Sequence, residues 1–140
     1  MERKDQRTVL MADDDDEEDC FLAKEAFLES GAEATFSCVE DGMELMDYLL
    51  KRMRSEVNGL PCLILLDLNM PRKDGREALL EIKAEPALQY IPIVILTTSK
   101  EEKDISFTMK AGADSFITKP ASFEEWIGIM KSMTENWLVL

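Results

Sequence analysis

The sequence predicts an α/β fold: a doubly wound, five-stranded parallel sheet with helices on both faces. Three observations predict it. Short apolar runs alternate with stretches of helical periodicity five times along the 140 residues, as strands joined by crossover helices do. Two of the runs, Leu63–Leu66 and Ile93–Leu96, hold no polar residue, which marks strands buried on both faces. Right-handed crossovers then leave few topologies. Of these, the (βα)5 flavodoxin-like order 2-1-3-4-5 opens a crevice at the C-terminal ends of strands one and three.

Thr8–Ala12 is the first apolar run, stopped by the acidic stretch DDDDEED. Leu22, Ala23, Ala26 and Phe27 then form a helical stripe, closed by Ser30-Gly31, where glycine suits a helix C-terminus. Ala34–Val39 reads as a second strand. Leu45, Met46, Leu49, Leu50 and Met53 make the clearest amphipathic helix. A loop around Ser55–Pro61 leads to the third strand, Cys62–Leu66, and Gly75–Ala84 follows as helix with Ala78, Leu79 and Ile82 inward. Pro86 and Pro92 punctuate the way to the fourth strand, Ile93–Leu96. A weaker helix between Lys100 and Ala111, a strand at Asp114–Thr118 and a helix carrying Phe123, Trp126, Ile127 and Met130 complete the chain.

Residues 1–140 are expected to form one domain, with residues 1–7 a flexible polar leader. The net charge of −13 repels phosphate backbones and argues against nucleic-acid binding. No apolar stretch approaches the roughly 20 residues of a membrane span, and the N-terminus lacks the apolar segment of a signal peptide. Cys20, Cys38 and Cys62 are odd in number and follow no metal-ligand spacing. They are expected to be reduced, in a cytoplasmic protein. Histidine is absent, which excludes a histidine-based catalytic dyad or metal site within this chain.

The polar residues gather at one edge. Asp13 and Asp14 end strand one, Asp67 strand three, Thr97 strand four and Lys119 strand five, all at the C-terminal ends where open sheets of this kind bind ligands. Two unit charges about 4 Å apart repel by about 4 kcal/mol at an effective dielectric near 20. Three carboxylates therefore need more than one lysine, and an oxygen-only site of this kind selects Mg²⁺ or Ca²⁺. A metal, a carboxylate, a lysine and a hydroxyl are equipment for phosphoryl transfer, with an aspartyl phosphate as product. Asp67 is the expected nucleophile. Asp13, Asp14 and Asp67 are expected to hold Mg²⁺, with the Asn69 backbone carbonyl as a further ligand, and Lys119 and Thr97 to meet the phosphoryl oxygens.

Blander readings compete. An acidic run is more often a solvated stretch, and here Asp15 and Asp16 through Asp19 read as charges favourable at a helix N-terminus. A calcium loop starting at Asp14 fails because its sixth position is Asp19, where that loop requires glycine. A phosphohydrolase of the haloacid-dehalogenase type needs a second acid two residues after its nucleophile; this chain has Asn69.

VLMADDD, LILLDLNMPRKDG, PIVILTTS and AGADSFITKPASF, in this order and spacing, resemble the receiver domain of two-component response regulators, from about Thr8 to Lys131. The resemblance implies a phosphoacceptor switch, not an enzyme. A sensor histidine kinase or histidine phosphotransfer protein phosphorylates Asp67, with Mg²⁺ at Asp13, Asp14, Asp67 and the Asn69 carbonyl. It implies that Thr97 and Phe116 are the switch pair, with Lys119 beside them, and that the fourth helix, fifth strand and fifth helix present the signal to a downstream protein. Homodimerisation through the same face is a secondary expectation. Little more than a last helix follows Pro120, so the chain resembles stand-alone receivers serving phytochrome-type sensor kinases in bacteria.

Overall fold

A computed structural model of the chain describes residues 7–13, 17–54 and 59–138. The strands are β1 (Thr8–Ala12), β2 (Thr35–Val39), β3 (Leu63–Leu66), β4 (Ile93–Thr97) and β5 (Ser115–Thr118). The helices are α1 (Glu17–Glu29), α2 (Gly42–Arg54), α3 (Gly75–Ala84), α4 (Glu102–Lys110) and α5 (Phe123–Met133). The strands form one sheet in the order β2-β1-β3-β4-β5, every pair parallel, as the alternation of the sequence predicts.

Period-two alternation divides the core into two halves. Leu10, Ile64, Leu66, Ile93 and Ile95 pack with Leu45, Leu49, Leu79 and Ile82 of α2 and α3. Val9, Met11, Leu63, Leu65, Val94 and Leu96 pack on the other face with Ala23, Ala26 and Phe27 of α1 and Trp126 and Met130 of α5. Both faces of β3 and β4 are thus covered, which is why these runs contain no polar residue.

Local chemistry sets the helix boundaries. Asp74 and Ser122 each close a capping box, with Glu77 and Glu125, at the starts of α3 and α5. Gly31 follows α1 with φ +85°, a conformation that favours glycine. Gly75 opens α3 against the main chain of Asp67: a Cβ there would lie 2.1 Å from the Asp67 carbonyl oxygen. Two features were not legible in the sequence. Leu88 plugs the turn before Ile91 and is fully buried, and a π-helical turn, Thr134–Leu138, continues α5.

The expectation of reduced cysteines is overturned. Cys20 of α1 and Cys38 of β2 form a disulfide, while Cys62 keeps its thiol, which donates to the Thr8 carbonyl at 3.4 Å. Cysteine usage therefore gives no support to a reducing compartment. Residues 1–6 of the leader lie outside the described residues. Arg7, its last residue, is not loose: its guanidinium donates to the Leu138 carbonyl. The Lys119–Pro120 bond is trans. No helix among the described residues is long and apolar enough to cross a membrane.

Candidate functional site

Main-chain bonds carry the strand ends together. Beyond β1, Asp13 N–H donates to the Val39 carbonyl at 3.1 Å; beyond β3, Asp67 N–H donates to the Ala12 carbonyl at 2.9 Å. Beyond β5, Lys119 N–H donates to the Thr97 carbonyl at 2.8 Å. The side chains of Asp13, Asp67, Thr97 and Lys119 consequently start from one edge of the sheet.

At their centre stands the Lys119 ammonium. It donates to Asp13 Oδ1 at 3.0 Å, Asp19 Oδ2 at 2.8 Å and Asp67 Oδ2 at 3.1 Å. Burial and a hydrogen bond with Asp67 push the Asp13 carboxyl up to about 8, against the opposing pull of Lys119. Two buried carboxyls facing one ammonium resist holding two negative charges. Burial alone would lower Lys119, but its hydrogen bond to Asp19 and the charges of Asp13 and Asp67 hold it above the ordinary lysine range.

The remaining predicted residues fall as follows. Asn69 is exposed, and its N–H donates to Asp67 Oδ1 at 3.3 Å. Thr97 is fully buried, its hydroxyl accepting from Ser99 N–H at 3.4 Å. Phe116 is half-buried against the α2/α3 side of the core. Asp14 lies outside the described residues, as do Asp15 and Asp16. Among the described residues no group of three or more acidic, cysteine or histidine side chains is arranged to hold a metal; the expected third acid is Asp14. The donors that are described, Asp13 and Asp67, are both oxygen ligands with a surplus of negative charge, and so fit a hard divalent cation.

Three contacts were missed at the sequence level. Asp19, read as a helix N-terminal charge, is instead a partner of Lys119. Asp41, which caps α2 by accepting from Glu44 N–H at 2.8 Å, also takes both Arg72 Nε at 2.9 Å and Nη2 at 3.2 Å. Burial pushes the Asp41 carboxyl up, but the Arg72 bonds and charge together with the backbone N–H groups of Glu44 and Met43 bring it below the ordinary carboxylate range. This clamps the β3–α3 loop, where Arg72 adopts φ 66°, sparsely populated for a non-glycine residue. In the third contact, buried Asp104 accepts from Ser99 Oγ at 2.7 Å and from Arg76 Nε and Nη2 at 3.0 and 2.8 Å. The Ser99 bond is the chief cause that lowers its pKa. This ties the loop after Thr97 to α3. The Lys119–Asp19, Arg72–Asp41 and Arg76–Asp104 partners stand tens of residues apart, so no local pattern announces them.

The family model for the response regulator receiver domain matches residues 9–131. Response regulator Rcp1 of Synechocystis sp. is 34% identical over 130 residues, 93% of this chain and 88% of the relative. The solved structure of the phosphorylated cyanobacterial phytochrome response regulator RcpA superposes with a TM-score of 0.85 at 39% identity, covering 96% of this chain and 95% of that one. The Mn²⁺-bound form of Rcp1 gives a TM-score of 0.80 at 34% identity, with 93% and 94% covered.

Proposed function

The chain belongs to the response regulator receiver-domain family, and we propose that within it the chain is a phosphoacceptor switch whose Asp67 receives phosphoryl from a partner's histidine. The observation that carries this reading is the buried Asp67 carboxylate 3.1 Å from the Lys119 ammonium, with buried Asp13 on the same ammonium.

In the reaction, an Asp67 carboxylate oxygen attacks the phosphorus of a phosphohistidine. The new O–P bond forms as the P–N bond breaks, and its electron pair returns to the imidazole, which takes a proton from water. Asp67 is held for this attack by its main-chain bond to Ala12 and by Asn69 N–H on its other oxygen. Lys119 neutralises charge at the carboxylate and then at the phosphoryl oxygens, and Thr97 donates its hydroxyl to one of them. Asp13, Asp14, Asp67 and the Asn69 carbonyl would hold Mg²⁺, which when bound neutralises the oxygens of the transferring group.

The donor is a sensor histidine kinase or histidine phosphotransfer protein. The likeness to a phytochrome response regulator supports a phytochrome-type sensor as the input, in a cytoplasmic pathway. No separate substrate is turned over. The phosphoryl group carries about −1.5 to −2 of charge where the carboxylate carried −1, and Thr97 and Phe116 reposition to bias the α4–β5–α5 face toward a downstream protein or a second copy. A swing from 1:99 to 99:1 needs about 5.5 kcal/mol of differential stabilisation, which two charge-assisted hydrogen bonds at about 1.5–3 kcal/mol each supply only in part, so incomplete switching is expected.

Mass spectrometry after incubation with acetyl phosphate and Mg²⁺ tests the reading. The wild type should gain about 80 Da, one phosphoryl group, and Asp67→Asn should not. An unlabelled wild type, or an adduct that persists in the variant, overturns it.

A further inference from the structure

We propose that Asp19 is a positioning residue for the phosphoryl reaction: it occupies one of the three hydrogen-bond donors of Lys119 and must release it before that ammonium can engage the phosphoryl group approaching Asp67. The proposal rests on the reading of Asp67 as phosphoacceptor.

An ammonium has three N–H donors and no more. On Lys119 all three point at carboxylates: Asp13 at 3.0 Å, Asp19 at 2.8 Å and Asp67 at 3.1 Å. An incoming phosphoryl oxygen finds no donor free, so one of these bonds has to break. Which one breaks follows from the cost of returning each acid to water. The side chains of Asp13 and Asp67 are 2% and 5% exposed, against 22% for Asp19. A buried carboxyl group left without its hydrogen-bond partner pays heavily, whereas one at the rim regains water. Asp19 is therefore the exchangeable partner, even though its contact is the shortest of the three.

Asp19 also differs in origin. Asp13, Asp67 and Lys119 are presented by strand ends, but Asp19 comes from the first turn of α1. The next residue, Cys20, is bridged to Cys38 of β2, so that turn is pinned to the sheet. Release then proceeds by rotation of the Asp19 side chain. No proton moves, because Lys119 remains an ammonium throughout.

Replacing Asp19 by asparagine keeps the shape and removes the charge, leaving only a neutral acceptor that holds Lys119 less tightly, and lessens repulsion of an anionic donor. The initial rate of Asp67 labelling by acetyl phosphate in low salt should rise about fivefold, the order expected for one partly exposed ion pair. At 1 M KCl, where the screening length is about 3 Å, the gain should shrink toward unity. Asp19→Glu, which restores the charge, should return the rate toward that of the wild type. A loss of local structure would follow neither salt nor the glutamate. Should Asp19→Asn fail to fold, Asp19→Ser carries the same comparison. Labelled wild type with an unchanged or slower Asp19→Asn, or with a gain indifferent to salt, overturns the Asp19 proposal alone. Absence of label on the wild type overturns the phosphoacceptor reading beneath it.

Discussion

Two helical glycines should respond to the same substitution with opposite signs. Alanine in place of glycine ordinarily stabilises a helix by about 0.5–1 kcal/mol. At Gly128 of α5 a Cβ would meet nothing within 4 Å, so Gly128→Ala should show that gain. At Gly75 the Cβ would lie 2.1 Å from the Asp67 carbonyl oxygen and 2.8 Å from Leu68 Cα. One side must retreat by about 0.9 Å to reach even 3.0 Å. Neither side is soft: Asp67 N–H is bonded to Ala12, and Gly75 N–H to the Leu68 carbonyl at 2.9 Å. Overpacking against fixed backbone costs about 1–3 kcal/mol, more than the helical gain returns. Urea unfolding should therefore place Gly75→Ala below the wild type and Gly128→Ala above it, with unchanged m-values. Since the displaced atoms belong to Asp67, labelling by acetyl phosphate should also slow in the first variant and not in the second. A Gly75→Ala protein as stable as Gly128→Ala would refute the reasoning.

Asp104→Ala should destabilise the fold by about 2–3 kcal/mol, because Arg76 and Ser99 lose charge-assisted partners around a buried carboxylate; chemical denaturation measures it, and a change under 0.5 kcal/mol would count against the network. The Asp104 pKa is lowered, so its contribution is present above the unfolded value of 3.8 and fades as pH falls through the folded one. The variant should accordingly lose less stability on acidification below about pH 4 than the wild type does. Asp13 has the opposite sign. With its pKa raised from 3.8 to about 8, its protonated form favours folding, and that contribution is lost as pH rises toward 8. A divalent ion displaces the proton, so Mg²⁺ should raise the melting temperature more at pH 8 than at pH 6, and a pH-independent shift would contradict this. Thr98 is exposed beside the buried Thr97, and trimming it in Thr98→Ala should speed loss of phosphoryl from Asp67 to water; equal decay rates would exclude such shielding.

Particular residues explain what the sequence could and could not reveal. Leu63–Leu66 and Ile93–Leu96 are legible because burial on both faces demands unbroken apolar runs, and Asp67 and Thr97 because a polar group just after such a run is conspicuous. Lys119 becomes legible through the strand order, which brings it to the same edge. Asp19 was not, since an acid in the first turn of a helix already has an adequate local reason to be there. The Cys20–Cys38 bridge spans 18 residues and depends on how α1 lies across β2, which spacing does not encode. Arg76 of α3 reaches Asp104 of α4 across 28 residues, and neither helix carries a local signature of the other.

The division of the core by the sheet has a mechanical consequence. Phe116 leans on the half containing α2 and α3, whereas Ile117, its neighbour in β5, belongs to the half containing α1 and α5. A rotation of Phe116 would therefore disturb one hemisphere and leave the other as a stator, stiffened by the Cys20–Cys38 crosslink and by the anchorage of Arg7 on the last turn. In the proposed switch, motion that starts at Asp67 would be steered by this asymmetry into the half containing α2 and α3, where the Arg76–Asp104 pair joins α3 to α4.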